Sequence, residues 1–511
     1  MHTRLRFFCV WGCLAVVLSS AARGASASAA PAAEWRIGVR FLPSARSQPY
    51  TGRVYLFFTE RSGEPRHGPS WFRPEQFVAK DVTNWKPGET LEIAGGDKDV
   101  IAYPKPLHAK DVAGRRVQAV IRFNPIEREV GDGPGNGYSE VAELPEAGHD
   151  KPRPELVVNK LVPPQRFNET ASRKEFSVRS QLLSNFFNRD VSISAAVLLP
   201  ASYDTEKSRH YPTIFTIPGF GGTHYQSRGG RPPQGGPKDV EFLRVLLDPS
   251  CPLGHDVFAD SANNGPVGEA LVTEFLPAFD RAFRSVPDPR ARFLTGHSSG
   301  GWSSLWLQVA YPETFGGTWS TSPDPVDFRD FQGIDIYHPG ENMFVDRAGK
   351  ERPLARMGGT VLVRYGNFSR MEDVLGPGGQ LQSFEAVFSP RGSDGKPEQL
   401  WDRKTGAIHS DVAHAWEKYD IRLLLEQNWP TLGPKLAGKL HVFMGDEDTF
   451  YLEGATKLLK KALAQLGSDA VVEIHPGKNH MNLVNAELSR RIRTEMSDAY
   501  RKAFPHDTWV N

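Results

Sequence analysis

The chain has 511 residues, 39% of them apolar and 11% aromatic, and its 61 Lys and Arg offset 60 Asp and Glu for a formal charge of +1. That length allows a sizeable core and two or three domains. Near-neutrality removes the electrostatic basis for binding nucleic acid or an anionic membrane surface.

At the start of the chain, Arg4 and Arg6 flank the beginning of an apolar run from Leu5 to Leu18, which gives way to small residues around Ala25-Ser26-Ala27. This is the pattern of a secretory signal peptide over residues 1–27. The run is shorter than the ~20 residues a bilayer span needs. The expected product is therefore exported to the periplasm or the medium and has no membrane span after cleavage. Cys9 and Cys13 leave with the signal, so Cys251 alone remains, no internal disulfide can form, and Cys251 reads as structural.

Residues 34–162 hold short runs of strand character separated by Gly and Pro: RIGVRFL, RVYLFF, TLEIA, VQAVIRF and PELVVNKLV. Their spacing predicts an all-β, immunoglobulin-like sandwich that folds as its own unit and ends near Pro163-Pro164. Over 170–511, strand-like runs alternate with helical ones, which predicts a mainly parallel sheet flanked by helices. Residues from about 322 to 440 lack clean alternation and read as an insertion over the catalytic face.

The chemistry concentrates in RFLTGHSSGGW, where Gly296-His297-Ser298-Ser299-Gly300 joins an apolar strand to an apolar helix. In that context G-x-S-x-G is a nucleophile elbow, a strained turn that projects Ser298 above the sheet. A serine hydroxyl needs a base to take its proton and a carboxylate to orient that base. On an α/β-hydrolase scaffold the acid and then the histidine follow the serine in the chain. After the strand KLHVFMG come Asp446 and Asp448, of which Asp448 is preferred as the acid and Asp446 is the alternative. After the strand AVVEIH comes His480, preferred as base over His475, which sits at the strand end. The oxyanion hole needs two backbone N–H groups. Ser299, next to the nucleophile, supplies one, and Phe220 in the loop Gly219-Phe220-Gly221-Gly222 supplies the other.

No cofactor or metal is called for. The GFGG loop is not a dinucleotide fingerprint, and His409 and His414, with Asp411 between them, are spaced five apart and do not share a helix face. In ADSANNGP, Asp260, Asn263 and Asn264 read as cleft residues or as a capped loop, and RGGRPPQGGP, residues 228–237, as a solvated loop.

Taken together, the GFGG loop, ADSANNGPVGEALVTEFLPAFD, GHSSGGW, GDEDTF and the late Asn479-His480 resemble the esterase family that includes esterase D, feruloyl and acetylxylan esterases, enterochelin esterases and mycolyltransferases. The resemblance runs from about Glu175 to the C-terminus and does not reach the N-terminal β region. Pro218-Gly219 stands where many members carry His-Gly. The resemblance implies an α/β-hydrolase that cleaves carboxylic esters through an acyl-enzyme, with substrates that extend to polysaccharide-linked esters. Two other readings use the same scaffold: acyl transfer to an alcohol through the same triad, and a non-catalytic module that binds carbohydrate or a surface. A prolyl-oligopeptidase architecture is disfavoured, because residues 34–162 are too few for a propeller at ~40 residues per blade.

Overall fold

The computed structural model describes residues 35–146, 154–227 and 240–506. The expected signal segment 1–27 and the loop 228–237 lie outside the described residues. Nine strands form the first sheet: β1 (Arg36–Phe41), β2 (Tyr50–Thr59), β3 (Phe77–Trp85), β4 (Leu91–Ala94), β5 (Val100–Tyr103), β6 (Arg116–Ile121), β7 (Gly137–Ser139), β8 (Ala142–Glu143) and β9 (Glu155–Leu161). Their order is β4-β1-β9-β7-β6-β2-β3-β5, with β8 also on β6. All pairs are antiparallel except β1 with β9.

An immunoglobulin-like sandwich of two facing sheets is the expectation for this region, whereas hydrogen bonding joins all nine strands into one sheet. Alternation in a sequence fixes which face a side chain takes and says little about which strands pair. Strand β2 illustrates the two faces. Val54, Leu56 and Phe58 pack with Ile37, Val39, Ile93, Val117 and Leu156 in a core of the region's own. Tyr55 and Phe57 join Phe77 and Tyr103 in a second cluster, shared with Phe368, Met371 and Leu381 of the C-terminal region.

The second sheet is built from β10 (Arg173–Arg179), β11 (Ser192–Leu198), β12 (Thr213–Ile217) and β13 (Leu243–Leu247). A small hairpin follows, β14 (Ser250–Cys251) and β15 (Gly254–His255), before β16 (Arg292–His297) and β17 (Gly317–Thr321) return to the sheet. A second hairpin, β18 (Pro353–Met357) and β19 (Thr360–Arg364), precedes the last sheet strands, β20 (Leu440–Gly445) and β21 (Val471–His475). The sheet order is β10-β11-β13-β12-β16-β17-β20-β21. From β13 onward every neighbour is parallel.

Both faces of this sheet are covered, which is why its strands read as apolar runs. The helix Ser299–Ala310 lies on one face, and the helix Ala486–Ala503 sets Leu488, Ile492 and Met496 against Ile214, Phe293 and Phe443 on the other. The stretch after β17 contains, besides β18 and β19, the helices Tyr365–Leu375, Gln380–Phe388, Ser410–Ala415 and Ile421–Leu436.

Polar contacts reinforce the shared apolar cluster. The Tyr55 hydroxyl donates to the Leu375 carbonyl (2.6 Å), and the Arg53 guanidinium donates to the carbonyls of Asp373 (2.9 Å) and Val374 (3.1 Å). These are the carbonyls that the end of helix Tyr365–Leu375 leaves without intrahelical partners, and a cation is favoured at that end. Arg122 donates to the Pro377 carbonyl at 2.9 Å.

Candidate active site

Strand β16 ends at His297 and the next helix begins at Ser299, so Ser298 makes the turn, with φ 61° and ψ −127°. That positive φ is costly for a residue with a Cβ. The flanking glycines make the turn possible. A Cβ on Gly296 would lie 2.0 Å from the Gly300 carbonyl oxygen, and one on Gly300 would lie 2.0 Å from that of Ile217. Ser298 therefore sits at the carboxyl end of a central strand and at the N-terminus of a helix, where backbone N–H groups lack intrahelical partners and negative charge is favoured.

His480 lies in the loop after β21, with Nδ1 2.8 Å from Asp448 Oδ2, and both residues are buried. A carboxylate can only accept, so Nδ1 donates and the lone pair of the neutral ring sits on Nε2. The other oxygen of Asp448 accepts from the Phe450 N–H at 2.8 Å, which fixes the carboxylate. Asp446, two residues earlier, turns away and accepts from the Gly477 N–H at 2.7 Å. His475 faces Glu473, 3.4 Å away, and does not line the cavity around Ser298.

Ser298 and His480 open on one cavity of about 990 Å³, with Asp324, His297 and Phe220. The His297 ring lies 4.5 Å from the His480 ring. Burial, and then the charge of the neighbouring His480, push the His297 pKa down to about 4. His297 is thus neutral near pH 7 and places no second positive charge beside His480.

The loop Gly219–Gly222 runs against the serine: a Cβ on Gly219 would be 3.2 Å from Ser298 Cβ and 3.8 Å from Oγ. Its backbone is pinned by His255, whose Nε2 donates to the Pro218 carbonyl at 2.9 Å while Nδ1 accepts from the Val257 N–H at 3.0 Å. Burial lowers the His255 pKa to about 4, which keeps that neutral tautomer in place. The Arg128 guanidinium, from the N-terminal region, lies over the Phe220 ring at 4.8 Å.

Asp324, missing from the sequence reading, is buried beside the serine. Its carboxyl accepts from the Ser299 hydroxyl at 2.5 Å, its backbone N–H donates to the Ser298 carbonyl at 3.3 Å, and burial raises its pKa to about 6. Asking which carboxylate follows the strand next to the elbow strand would have found it, since Asp324 lies three residues beyond the end of β17. The rings of Trp71, Phe72, Phe368 and Phe450 on the cavity wall carried no such signal, because they meet only through tertiary packing.

Other candidates are engaged elsewhere. Asp260 accepts from the Glu269 N–H and the Tyr311 hydroxyl, and Asn263 donates to the Ser389 carbonyl. His409 contacts the Gln399 carbonyl and His414 contacts Glu417. Cys251 is a free thiol whose pKa burial raises.

A family model described as "Putative esterase" matches residues 184–481. The chain belongs to this family. This esterase is accordingly a serine carboxylic ester hydrolase of the α/β-hydrolase fold, and its substrate is an ester. No curated protein matches it. Among solved structures, the esterase is similar to a ferulic acid esterase at 13% identity, over 64% of this chain and 99% of that one, with a TM-score of 0.39. It is also similar to an S-formylglutathione hydrolase from Agrobacterium tumefaciens at 16% identity, over 65% of this chain and 96% of that one, with a TM-score of 0.37.

Proposed function

We propose that this esterase works through Ser298 as nucleophile, His480 as general base and acid, and Asp448 as the carboxylate that orients His480. The oxyanion hole in this reading is the backbone N–H of Phe220 and of Ser299. The observation that carries the proposal is the strained Ser298 turn opening on the cavity that also holds His480, whose Nδ1 is tied to a buried Asp448 at 2.8 Å.

As Ser298 Oγ attacks the ester carbonyl carbon, its proton passes to His480 Nε2 and the carbonyl π electrons move onto oxygen, where the two N–H groups stabilise them. Collapse of that intermediate breaks the bond to the alcohol oxygen, which takes the proton from His480. Water then attacks the acyl-enzyme, giving its proton to His480, and the second collapse returns that proton to Ser298 and releases the acid. Asp448 stabilises the imidazolium formed at each attack.

The N-terminal pattern of Arg4, Arg6 and the apolar run supports export to the periplasm or the medium. An exported esterase meets esters borne on polymers, so a polysaccharide-linked ester is the proposed natural substrate. A fluorophosphonate probe followed by peptide mapping tests the nucleophile. Label is expected on Ser298 in the mature protein and none on Ser298→Ala, whose kcat on a p-nitrophenyl ester falls by roughly 10⁴ to 10⁶. Equal labelling of the two proteins would refute the assignment.

A further inference from the structure

The N-terminal sheet has no assigned part in the chemistry, yet its β2–β3 connection, residues 60–76, reaches the cavity and places Trp71 and Phe72 on the wall. Trp71 touches both sides of the reacting centre. Its ring centroid lies 5.7 Å from that of Phe220, on the proposed oxyanion loop, and 6.2 Å from that of Phe450, which itself sits edge-on to the His480 ring at 4.9 Å. Phe368 meets Trp71 edge-on at 5.3 Å, and Phe72 stacks on Phe450 at 6.1 Å. We propose that Trp71 is a specificity-determining residue, the part of the N-terminal region that completes the substrate site, and that this aromatic wall selects esters carrying a ring-sized, flat apolar group over small alkyl esters. The inference rests on the reading that Ser298 is the nucleophile of this cavity.

Two features make Trp71 a fixed wall. First, the connection is tied down on its own sheet: the Arg66 guanidinium donates to the Gly131 carbonyl (2.7 Å) and to Asp132 (2.8 Å), and lies over the Tyr138 ring at 4.4 Å. Glu75 accepts from the Ser70 N–H at 2.9 Å, and the Ser70 hydroxyl donates to the Arg73 carbonyl, which closes the turn that presents Trp71. Second, the sheet is locked to the helix Tyr365–Leu375, which carries Phe368. A preorganised wall spares the ordering entropy that a mobile loop would lose on binding, and ring faces and edges favour an aromatic guest beyond the area it buries. Small esters leave these rings untouched, so they should be indifferent to Trp71.

The test compares three esters on the full mature chain: ethyl acetate, ethyl 3-phenylpropanoate with the ring on the acyl side, and 2-phenylethyl acetate with the ring on the alcohol side. The wild type is expected to prefer at least one ring-bearing ester over ethyl acetate in kcat/KM. Trp71→Ala and Trp71→Leu, the second retaining apolar bulk if the first fails to fold, should lower kcat/KM for that ester by about 10-fold or more and for ethyl acetate by less than about threefold. Trp71→Phe, which keeps a ring, should recover most of the preference. An equal loss on all three esters would mark Trp71 as structural, and an unchanged preference in Trp71→Leu would place the ring elsewhere; either overturns the inference. A binding arm separates it from the nucleophile assignment: 4-phenylbutan-2-one titrated calorimetrically into Ser298→Ala, with and without Trp71→Leu. Weaker binding of the ketone in the double variant supports the aromatic site even if Ser298 proves not to be the nucleophile, and equal binding refutes it.

Discussion

Asp446 and Asp448 share one loop after β20, and chain order alone does not separate them as partners for His480. Their surroundings do: Asp448 is buried against His480 Nδ1, whereas Asp446 holds the Gly477 turn. An asparagine at 448 would either present its NH₂ group to Nδ1 or fail to stabilise the imidazolium. Asp448→Asn should therefore lower kcat by up to ~10⁴, the loss seen when a triad carboxylate is replaced by its amide. Asp446→Asn keeps an acceptor oxygen for Gly477 and should cost less than about threefold. Steady-state kinetics of the two variants on one small ester gives the ranking, and the reverse order would move the acid to Asp446. The same contrast shows where sequence reading stops at this scale. Strand, loop and residue type are local signals that name Asp448 first and Asp446 second, whereas which of the two is buried against His480 is set by the whole fold. Asp324 has only a weak local signal, its place three residues after β17, and its proximity to Ser298 arises because β17 runs beside β16.

The elements that were legible had local periodic signals. The elbow could be read because Gly296 and Gly300 leave no room for a Cβ, and the parallel strands because burial on both faces makes them apolar throughout. The helix Tyr365–Leu375 lies in a stretch whose sequence lacks clean alternation. Its buried Tyr365, Phe368, Met371 and Val374 do recur at helical spacing, but Arg370, Glu372 and Asp373 break up the run. Glu372 is itself buried, accepting from the Leu381 and Gln382 N–H groups. The β14–β15 hairpin leaves a trace that can be measured, because it delivers His255 to the Pro218 carbonyl. Burial depresses the His255 pKa to about 4 from an ordinary 6.5, so between those values the unfolded chain binds a proton that the folded one refuses. The contribution of His255 is then fully present above pH 6.5 and is lost as pH falls towards 4, by roughly 3 kcal/mol in total. In His255→Gln, which can still donate to Pro218, Tm should fall less steeply across that window than in the wild type. Parallel melting curves between pH 7 and 4.5 check this, and identical slopes would mean that His255 titrates normally in the folded protein.

At the scale of the molecule, the question is whether the N-terminal region is an appendage on a self-sufficient hydrolase. Strand patterning and the Pro163-Pro164 break suggested an independent unit, and its own core of Val54, Leu56, Phe58 and their neighbours fits that view. The opposite face of the same sheet argues otherwise, since Tyr55, Phe57, Phe77 and Tyr103 share a cluster with Phe368, Met371 and Leu381. Removing the region would expose that cluster to water and leave the Asp373, Val374 and Leu375 carbonyls without Arg53 and Tyr55. It would also strip Arg128 from Phe220, on the loop that runs against Ser298. A chain beginning at Glu169 keeps Ser298, Asp448 and His480, so any loss of activity must come through the support of the site. Such a chain should associate or precipitate, and its soluble fraction should hydrolyse even ethyl acetate at least ~100-fold more slowly than the full protein, the scale expected when catalytic groups shift by about 1 Å. Size-exclusion chromatography, circular dichroism and kinetics on that ester decide the matter. A monomeric, cooperatively melting fragment with full activity on ethyl acetate would show that the hydrolase region stands alone, and that the sheet serves only the larger substrates Trp71 contacts.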